Sequence, residues 1–220
     1  MLDSLMLSPS LKASLTEATE RYAANVHLAA SYLEGRGIGE SAARSSLLGY
    51  VDDPIPGHER FRGWLSIPYT TDAGTVAMKF RCIDAHDCKA VGCQRYDAPA
   101  GQKTRLYNAR VCAEGGEIGA VVEGEFKAIV CTHTLGIPAV STNAGTWLDH
   151  WPRAMANFDR VLVIADNDFH EDGSNPGRKH AEKVQKTISG AELVLPPLGV
   201  QLDDWVLRDG AESVREAMGL

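Results

Sequence analysis

The chain has 220 residues, of which 44% are hydrophobic and 23% charged, an ordinary globular composition that can bury a full core as one or two domains. No apolar run approaches the roughly 18 residues of a membrane helix, and the N-terminus lacks the basic and apolar regions of a signal peptide, so we expect a cytoplasmic protein without a membrane partner. The net charge of −7 counts against nucleic acid as a partner, but residues 58–110 carry nine basic and five acidic side chains, whereas residues 120–220 carry nine and fifteen. A basic middle before an acidic end is compatible with a phosphate-binding surface and a metal-binding one.

The first half of the chain is predicted to contain helices followed by short strands. Apolar residues recur every three to four positions over residues 9–34, and a shorter helix is predicted for residues 40–48. Residues 64–69 and 75–81 are rich in β-branched and aromatic side chains and flank the turn-like stretch TTDAG, which predicts a hairpin.

A cluster of cysteine and histidine follows the hairpin. The stretch CIDAHDCKAVGC places Cys82, His86, Cys88 and Cys93 within twelve residues, a set that could hold a structural zinc ion. Five cysteines, an odd number, favour free thiols or metal ligands over a disulfide framework. The spacing differs from known zinc motifs, and the single residue between His86 and Cys88 strains tetrahedral closure. The sequence therefore favours free thiols over zinc here.

From Gly119 onwards, strands and helices alternate. Short apolar strands (AVVE, PAVST, RVLVIAD and AELVLP) are separated by the helical segments FKAIVCTHTLG, TWLDHWPRAMANF and NPGRKHAEKVQKTIS, and two short helices end the chain. This alternation predicts an α/β fold with a mostly parallel, Rossmann-like sheet and flanking helices, preceded by a smaller mixed α+β subdomain. We place the boundary in the Gly-rich stretch 110–118, giving domains 1–115 and 116–220.

Three acidic residues follow two of the predicted strands. Glu123 ends one strand, and Asp166 and Asp168 follow another. The carboxyl ends of neighbouring parallel strands meet at one edge of a sheet, where ligands bind. Mg²⁺ takes one or two carboxylates and leaves room for substrate phosphates, which suits phosphoryl transfer. A calcium loop of the EF-hand type is excluded because Glu171 occupies the position that requires glycine, and no P-loop is present.

These acidic motifs resemble a known catalytic module. VVEGEFKAIV, then VLVIADND, then Gly177 and a basic helix are similar to the Toprim domain of DnaG-type primases, topoisomerases and certain nucleases. The resemblance implies that Glu123, Asp166 and Asp168 hold divalent metal, Mg²⁺ or Mn²⁺. The later acidic pair in QLDDWVL resembles an acidic segment of the primases, so Asp204 is a further possible metal ligand.

The upstream half narrows the resemblance to one branch of this family. AASYLEGRGIGESAARSSLLGYV, WLSIPYTTDAGTVAMKFRCI and RYDAPAGQKTRLYN resemble, in the same order, segments of DnaG-type primases. The likeness is to a phage-type primase catalytic core over nearly the whole chain. It implies synthesis of short RNA primers from ribonucleoside triphosphates on single-stranded DNA for DNA replication, in the host cytoplasm if the protein is viral.

The resemblance also implies a set of basic side chains that bind phosphate, and the chain differs from cellular primases at two points. The residues expected to contact the template or the nucleotide are Arg81, Arg95, Lys103, Arg105, Lys127, Arg178 and Lys179. Lys127 stands where cellular primases have an aspartate, and the segment EDGSNP is inserted after the aspartate pair, where Glu171 and Asp172 are expected to face solvent. Because no zinc ribbon or P-loop is evident, template selection and helicase activity would come from separate partner proteins.

Two other functions remain open at this stage. A Toprim nuclease would use the same metal-binding carboxylates on DNA or RNA. Alternatively, the chain could be a non-catalytic Toprim module that binds single strands and docks a helicase, and Lys127 keeps this alternative open. A topoisomerase is disfavoured because the sequence offers no obvious active-site tyrosine domain.

Overall fold

A computed structural model of the chain describes residues 7–142, 145–170 and 172–220. The helices are α1 (Pro9–Ala23), α2 (Ala30–Glu34), α3 (Glu40–Ser45), α4 (Val111–Glu114), α5 (Glu125–His133), α6 (Pro176–Gln185), α7 (Leu202–Asp209) and α8 (Ala211–Ala217). The strands are β1 (Gly49–Tyr50), β2 (Leu65–Thr71), β3 (Gly74–Arg81), β4 (Tyr96–Asp97), β5 (Gly116–Glu123), β6 (Ala139–Thr142), β7 (Phe158–Ile164) and β8 (Glu192–Val194). No helix within the described residues is long and apolar enough to cross a membrane.

The chain forms two compact units. The first comprises Met1–Glu34 and Gly39–Arg105, and the second comprises Gly35–Ile38 and Leu106–Leu220. The last change of unit along the chain falls between Arg105 and Leu106, about ten residues before the predicted boundary between residues 115 and 116. The division into functional domains at that boundary stays a prediction.

The first unit packs helices against an antiparallel sheet in the order β1-β2-β3-β4. Helix α1 begins at a proline, and the Ser8 side chain accepts a hydrogen bond from the Leu11 amide at 3.2 Å. Its buried residues include Leu15, Ala18 and Tyr22, which share one face at helical spacing. In the core beneath, the rings of Phe61 and Phe80 stack with centroids 3.9 Å apart.

The second unit contains a four-stranded parallel sheet in the order β6-β5-β7-β8. Strands β5 and β7 are its two central strands, and their consecutive apolar residues are buried, as expected for a sheet covered on both faces. The predicted α/β fold class, with a parallel sheet preceded by a smaller α+β region, is therefore confirmed.

Two predicted helices are shorter or less regular than expected. The helix predicted over residues 9–34 breaks after Ala23 and continues as a 3₁₀ turn, Val26–Ala29, before α2. The helix predicted from residue 146 appears only as a 3₁₀ helix, Trp151–Asn157, with Pro152 in its first turn. A proline lacks an amide donor and restricts the residue before it, so a helix can begin there but cannot run through it.

Candidate active site

Three carboxylates gather at the carboxyl edge of the parallel sheet in the second unit. Strands β5 and β7 are neighbours, and Val121 pairs with Val163. Glu123 is the last residue of β5, and Asp166 and Asp168 follow β7 directly, so the strand order brings the three predicted metal ligands to one edge. The three side chains are close enough to interact electrostatically, because the negative charges of Glu123 and Asp168 both raise the pKa of the Asp166 carboxyl.

Lys127 lies inside this cluster. Gly124, at φ +89°, makes the turn between β5 and α5, and Lys127 lies in the first turn of that helix. Its ammonium forms an ion pair and hydrogen bond with Oδ2 of Asp166, and the two side chains are only 9% and 13% exposed. Lys127 is predicted to contact phosphate, but in the structure its ammonium is paired with Asp166, one of the acidic residues of the site.

The other oxygen of Asp166 is unsatisfied. Oδ1 is buried and has no hydrogen-bond partner among the described residues. Burial raises the pKa of the Asp166 carboxyl, Lys127 opposes that rise, and the charges of Glu123 and Asp168 add to it. A buried carboxylate oxygen without a donor is costly, and a cation satisfies it. Carboxylate oxygens are the hard ligands that Mg²⁺ and Mn²⁺ prefer, so the chemistry of these three side chains fits either ion.

Two polar side chains that sequence reasoning left unassigned also lie here. Thr142, at the end of β6, and His180, on α6, line a cavity of about 10 Å³ together with Glu123 and Asp166. This is near the lower limit for one water molecule. Thr142 Oγ1 and His180 Nε2 are both buried without a hydrogen-bond partner in the described part of the chain. Thr142 could have been found as a third strand end, whereas His180 carried no signal in the sequence.

Gly177 allows helix α6 to approach the aspartate. A Cβ atom at this position would lie 2.6 Å from the backbone oxygen and 2.7 Å from Cβ of Asp166. Such distances do not occur in real structures, so any larger residue would push the helix or the aspartate out of place. The glycine noted in the sequence is thus required by close packing at the site.

The inserted segment EDGSNP is hydrogen-bonded through Asn175 to Asn167, the residue between Asp166 and Asp168. The buried Asn167 side chain donates to the Pro196 carbonyl at 2.7 Å and accepts from Asn175 Nδ2 at 3.0 Å. Asn175 also caps α6, because its Oδ1 accepts from the Arg178 amide at 2.8 Å. Asn167 therefore points inward and is bonded to Asn175. Asp172 is exposed as predicted, and Glu171 lies outside the described residues.

The acidic pair at the start of α7 is divided by burial. Asp203 is fully buried and forms an ion pair with Arg36, whose guanidinium also lies 5.8 Å from the centroid of the Phe126 ring. Asp204 is exposed, and its role as a metal ligand stays a prediction. The Arg36–Asp203 pair was not foreseen, since 167 positions separate the two residues.

Most of the predicted basic contacts lie in the first unit. Arg81 is buried, donates to the Tyr96 hydroxyl and lies 4.6 Å from the centroid of that ring. Arg95 is exposed, and Lys103 and Arg105 line a cavity of about 340 Å³.

The remaining two predicted basic contacts lie in the second unit. Arg178 and Lys179 are exposed in the first turn of α6, and Arg178 pairs with Glu182 at 2.8 Å.

The predicted cysteine and histidine cluster is brought together in the first unit. One ligand atom from each of Cys82, His86, Cys88 and Cys93 lies within 4.8 Å of the others. The single residue between His86 and Cys88 does not prevent convergence, because the histidine contributes Nε2 at the far end of its ring.

Comparison with known proteins identifies the fold. No model of a known protein family matches the chain. The Gene 57 protein of Mycobacterium phage D29 is 28% identical over 162 residues, covering 71% of this chain and 98% of that protein. The Aquifex aeolicus primase structure, with zinc-binding and RNA polymerase domains, superposes with a TM-score of 0.75 at 18% identity over the whole of this chain. The chain has the fold of the DnaG primase catalytic core.

Further DnaG structures share this fold in the presence of DNA. The RNA polymerase domain of Mycobacterium tuberculosis DnaG, in complex with double-stranded DNA, gives a TM-score of 0.72 at 19% identity and covers 97% of this chain and 81% of that one. A DnaG catalytic domain bound to single-stranded DNA gives 0.73 at 15% identity, over 96% of this chain and 80% of that one. The chain spans 62% of the Aquifex protein. The likeness confirms the predicted Toprim primase-core fold.

Proposed function

We propose that the chain is a metal-dependent DNA primase core that synthesises short RNA primers on single-stranded DNA. The proposal rests on the position of Glu123, Asp166 and Asp168 at one sheet edge, and on a buried Asp166 oxygen that has no hydrogen-bond donor among the described residues. The DnaG catalytic-core fold supports primase activity in preference to another metal-dependent reaction.

The reaction joins two nucleotides. The 3′-hydroxyl oxygen of one nucleotide attacks the α-phosphorus of a nucleoside triphosphate, its proton is lost, and pyrophosphate leaves. A bound divalent cation would activate the hydroxyl and neutralise charge developing on the phosphate. Glu123, Asp166 and Asp168 would hold that cation, while Lys127 keeps the Asp166 carboxylate oriented through its other oxygen.

The partners follow from the chemistry. Ribonucleoside triphosphates and a single-stranded DNA template are polyanions, and exposed Arg95, Lys103, Arg178 and Lys179 would contact their phosphates, with half-buried Arg105 and buried Arg81 as further candidates. A separate helicase or zinc-ribbon protein would supply unwinding and template choice. The site of action would be the cytoplasm, that of the host if the protein is viral.

The direct test is primer synthesis. The full chain is incubated with single-stranded DNA, ribonucleotides and Mg²⁺ or Mn²⁺, and Asp168→Ala and Glu123→Gln are compared with wild type. We expect each variant to lose at least 100-fold in rate, on the order of the loss of transition-state charge stabilisation. Asp159→Ala is the matched control, because Asp159 is an exposed acid near the opposite end of β7. Primer synthesis that survives unchanged in Asp168→Ala would refute the metal assignment.

The Lys127–Asp166 ion pair favours a second candidate. A lysine that already neutralises Asp166 weakens the demand for metal, which is compatible with a non-catalytic module that binds single strands and docks a helicase. This candidate is supported if the chain binds the single-stranded DNA of the assay but makes no primers, and still makes none after a helicase is added. Degradation of the template would instead indicate a Toprim nuclease.

A further inference from the structure

The connection between β3 and β4 has no hydrophobic core of its own. Residues 82–95 contain no helix or strand, and the two buried side chains in this stretch are Cys82 and Cys88, each 6% exposed. Its branched aliphatic side chains do not replace a core, since Val91 is 61% exposed. A connection of this length without secondary structure is uncommon in a compact unit unless something ties it down.

Four metal-ligand atoms converge in this connection. His86 Nε2 lies 3.7 Å from Cys82 Sγ, 3.7 Å from Cys88 Sγ and 3.0 Å from Cys93 Sγ. Tetrahedral zinc, with Zn–S of about 2.3 Å and Zn–N of about 2.0–2.1 Å, separates a nitrogen from a sulfur ligand by about 3.5 Å. The observed separations bracket this value, and all four atoms lie within 4.8 Å of one another.

The local backbone and the surrounding polar groups agree with a metal site. The Cys93 amide donates to the Cys88 carbonyl at 2.9 Å, and Gly92, at φ +72°, turns the chain back just before Cys93. Oδ2 of Asp84 lies 3.8 Å from both His86 Nδ1 and Cys82 Sγ, so one carboxylate oxygen stands close to two of the four proposed ligands.

We propose that Cys82, His86, Cys88 and Cys93 bind one structural zinc ion that closes the β3–β4 connection. Four protein ligands fill the tetrahedral coordination sphere, so the ion holds structure and leaves no position for a substrate. Its effect reaches the end of the hairpin: the Cys82 amide donates to the Arg95 carbonyl at 3.0 Å, and the next residues on either side, Arg81 and Tyr96, are paired across the strands. The zinc would thereby keep Tyr96 against the Arg81 guanidinium.

The test measures metal content of the full chain, purified under reducing conditions without chelator. We expect about one zinc per chain by elemental mass spectrometry. The double variant Cys88→Ser/Cys93→Ser should lose it, whereas Cys112→Ala should keep it, since the Cys112 sulfur lies beside Met155 in the second unit. Zinc should also remain in Glu123→Gln/Asp168→Ala, which excludes the carboxylate site as its source.

A second measurement does not depend on whether the cysteine variant folds. Co²⁺ exchanged into the wild-type chain should give the intense visible and thiolate charge-transfer bands of a tetrahedral site with three sulfur ligands. Absence of those bands, absence of zinc after reconstitution with a zinc salt, or a disulfide between cluster cysteines in the freshly purified protein would overturn the proposal. None of these readouts depends on primase activity.

Discussion

Removing the lysine from the acidic cluster should destabilise the metal-free protein. In Lys127→Met the Asp166 carboxylate keeps its burial and its negative neighbours Glu123 and Asp168 but loses its ion pair with Lys127. Breaking a buried pair by removal of one partner costs about 3–5 kcal/mol. We expect a loss of about 3 kcal/mol, at the lower end of this range, because the Asp166 side chain is still 13% exposed and can take up a proton to relieve the charge.

Divalent metal should reverse this loss. Denaturant unfolding of wild type and Lys127→Met is measured with chelator and again with saturating Mg²⁺. Ligand that binds only the folded state adds stability by mass action, and the variant cluster, which has one positive charge fewer, should bind Mg²⁺ more tightly. We expect the gap to shrink to less than about 1 kcal/mol in Mg²⁺, whereas a buried lysine that served packing alone would leave it unchanged.

A matched control separates this effect from general loss of a lysine. Lys179 lies on α6 in the same unit and is exposed, so Lys179→Met should change the unfolding free energy by no more than about 0.5 kcal/mol. The reasoning is refuted if Lys127→Met in chelator is as stable as Lys179→Met, or if Mg²⁺ leaves the gap between Lys127→Met and wild type unchanged.

Two further predictions concern packing and pH. Gly177→Ala should lower the unfolding free energy by about 1–3 kcal/mol and reduce primer synthesis, because its Cβ would meet Asp166 at 2.6–2.7 Å. In Gly39→Ala the new Cβ meets nothing within 4 Å, so a similar loss in that variant would contradict the steric argument. Burial lowers the pKa of His58 in the folded protein. As the pH falls, His58 therefore takes up a proton in the unfolded chain before it does so in the folded one. The free energy of unfolding should fall as the pH drops below about 6.5 towards the lower pKa of the folded state. The slope should be flatter in His58→Gln, by at most about 1.4 kcal/mol per pH unit, and parallel stability curves between pH 7 and 5 would contradict this assignment.

Several features of the fold could be predicted from local sequence because they depend on neighbouring residues. The hairpin of β2 and β3 follows from alternating β-branched and aromatic residues around a turn, and the parallel sheet follows from apolar strands that alternate with helices. The apolar pattern around Trp151–Asn157 predicts an α-helix, but Pro152 lies within it, and the segment forms only a 3₁₀ helix.

The acidic residues of the site could be predicted from local sequence, because strand polarity places Glu123 and the aspartate pair at the same edge of any parallel sheet that contains both strands. The ion-pair partners of the buried aspartates could not be predicted in this way. Lys127 contacts Asp166 from 39 positions away, and Asp203 is neutralised by Arg36 from 167 positions away. Such long-range pairing depends on how helices pack on the sheet, and residue spacing carries no record of it. The cysteine and histidine cluster is local, and its spacing argued against zinc, but the conformation of the β3–β4 connection, which spacing alone does not specify, brings all four ligand atoms together.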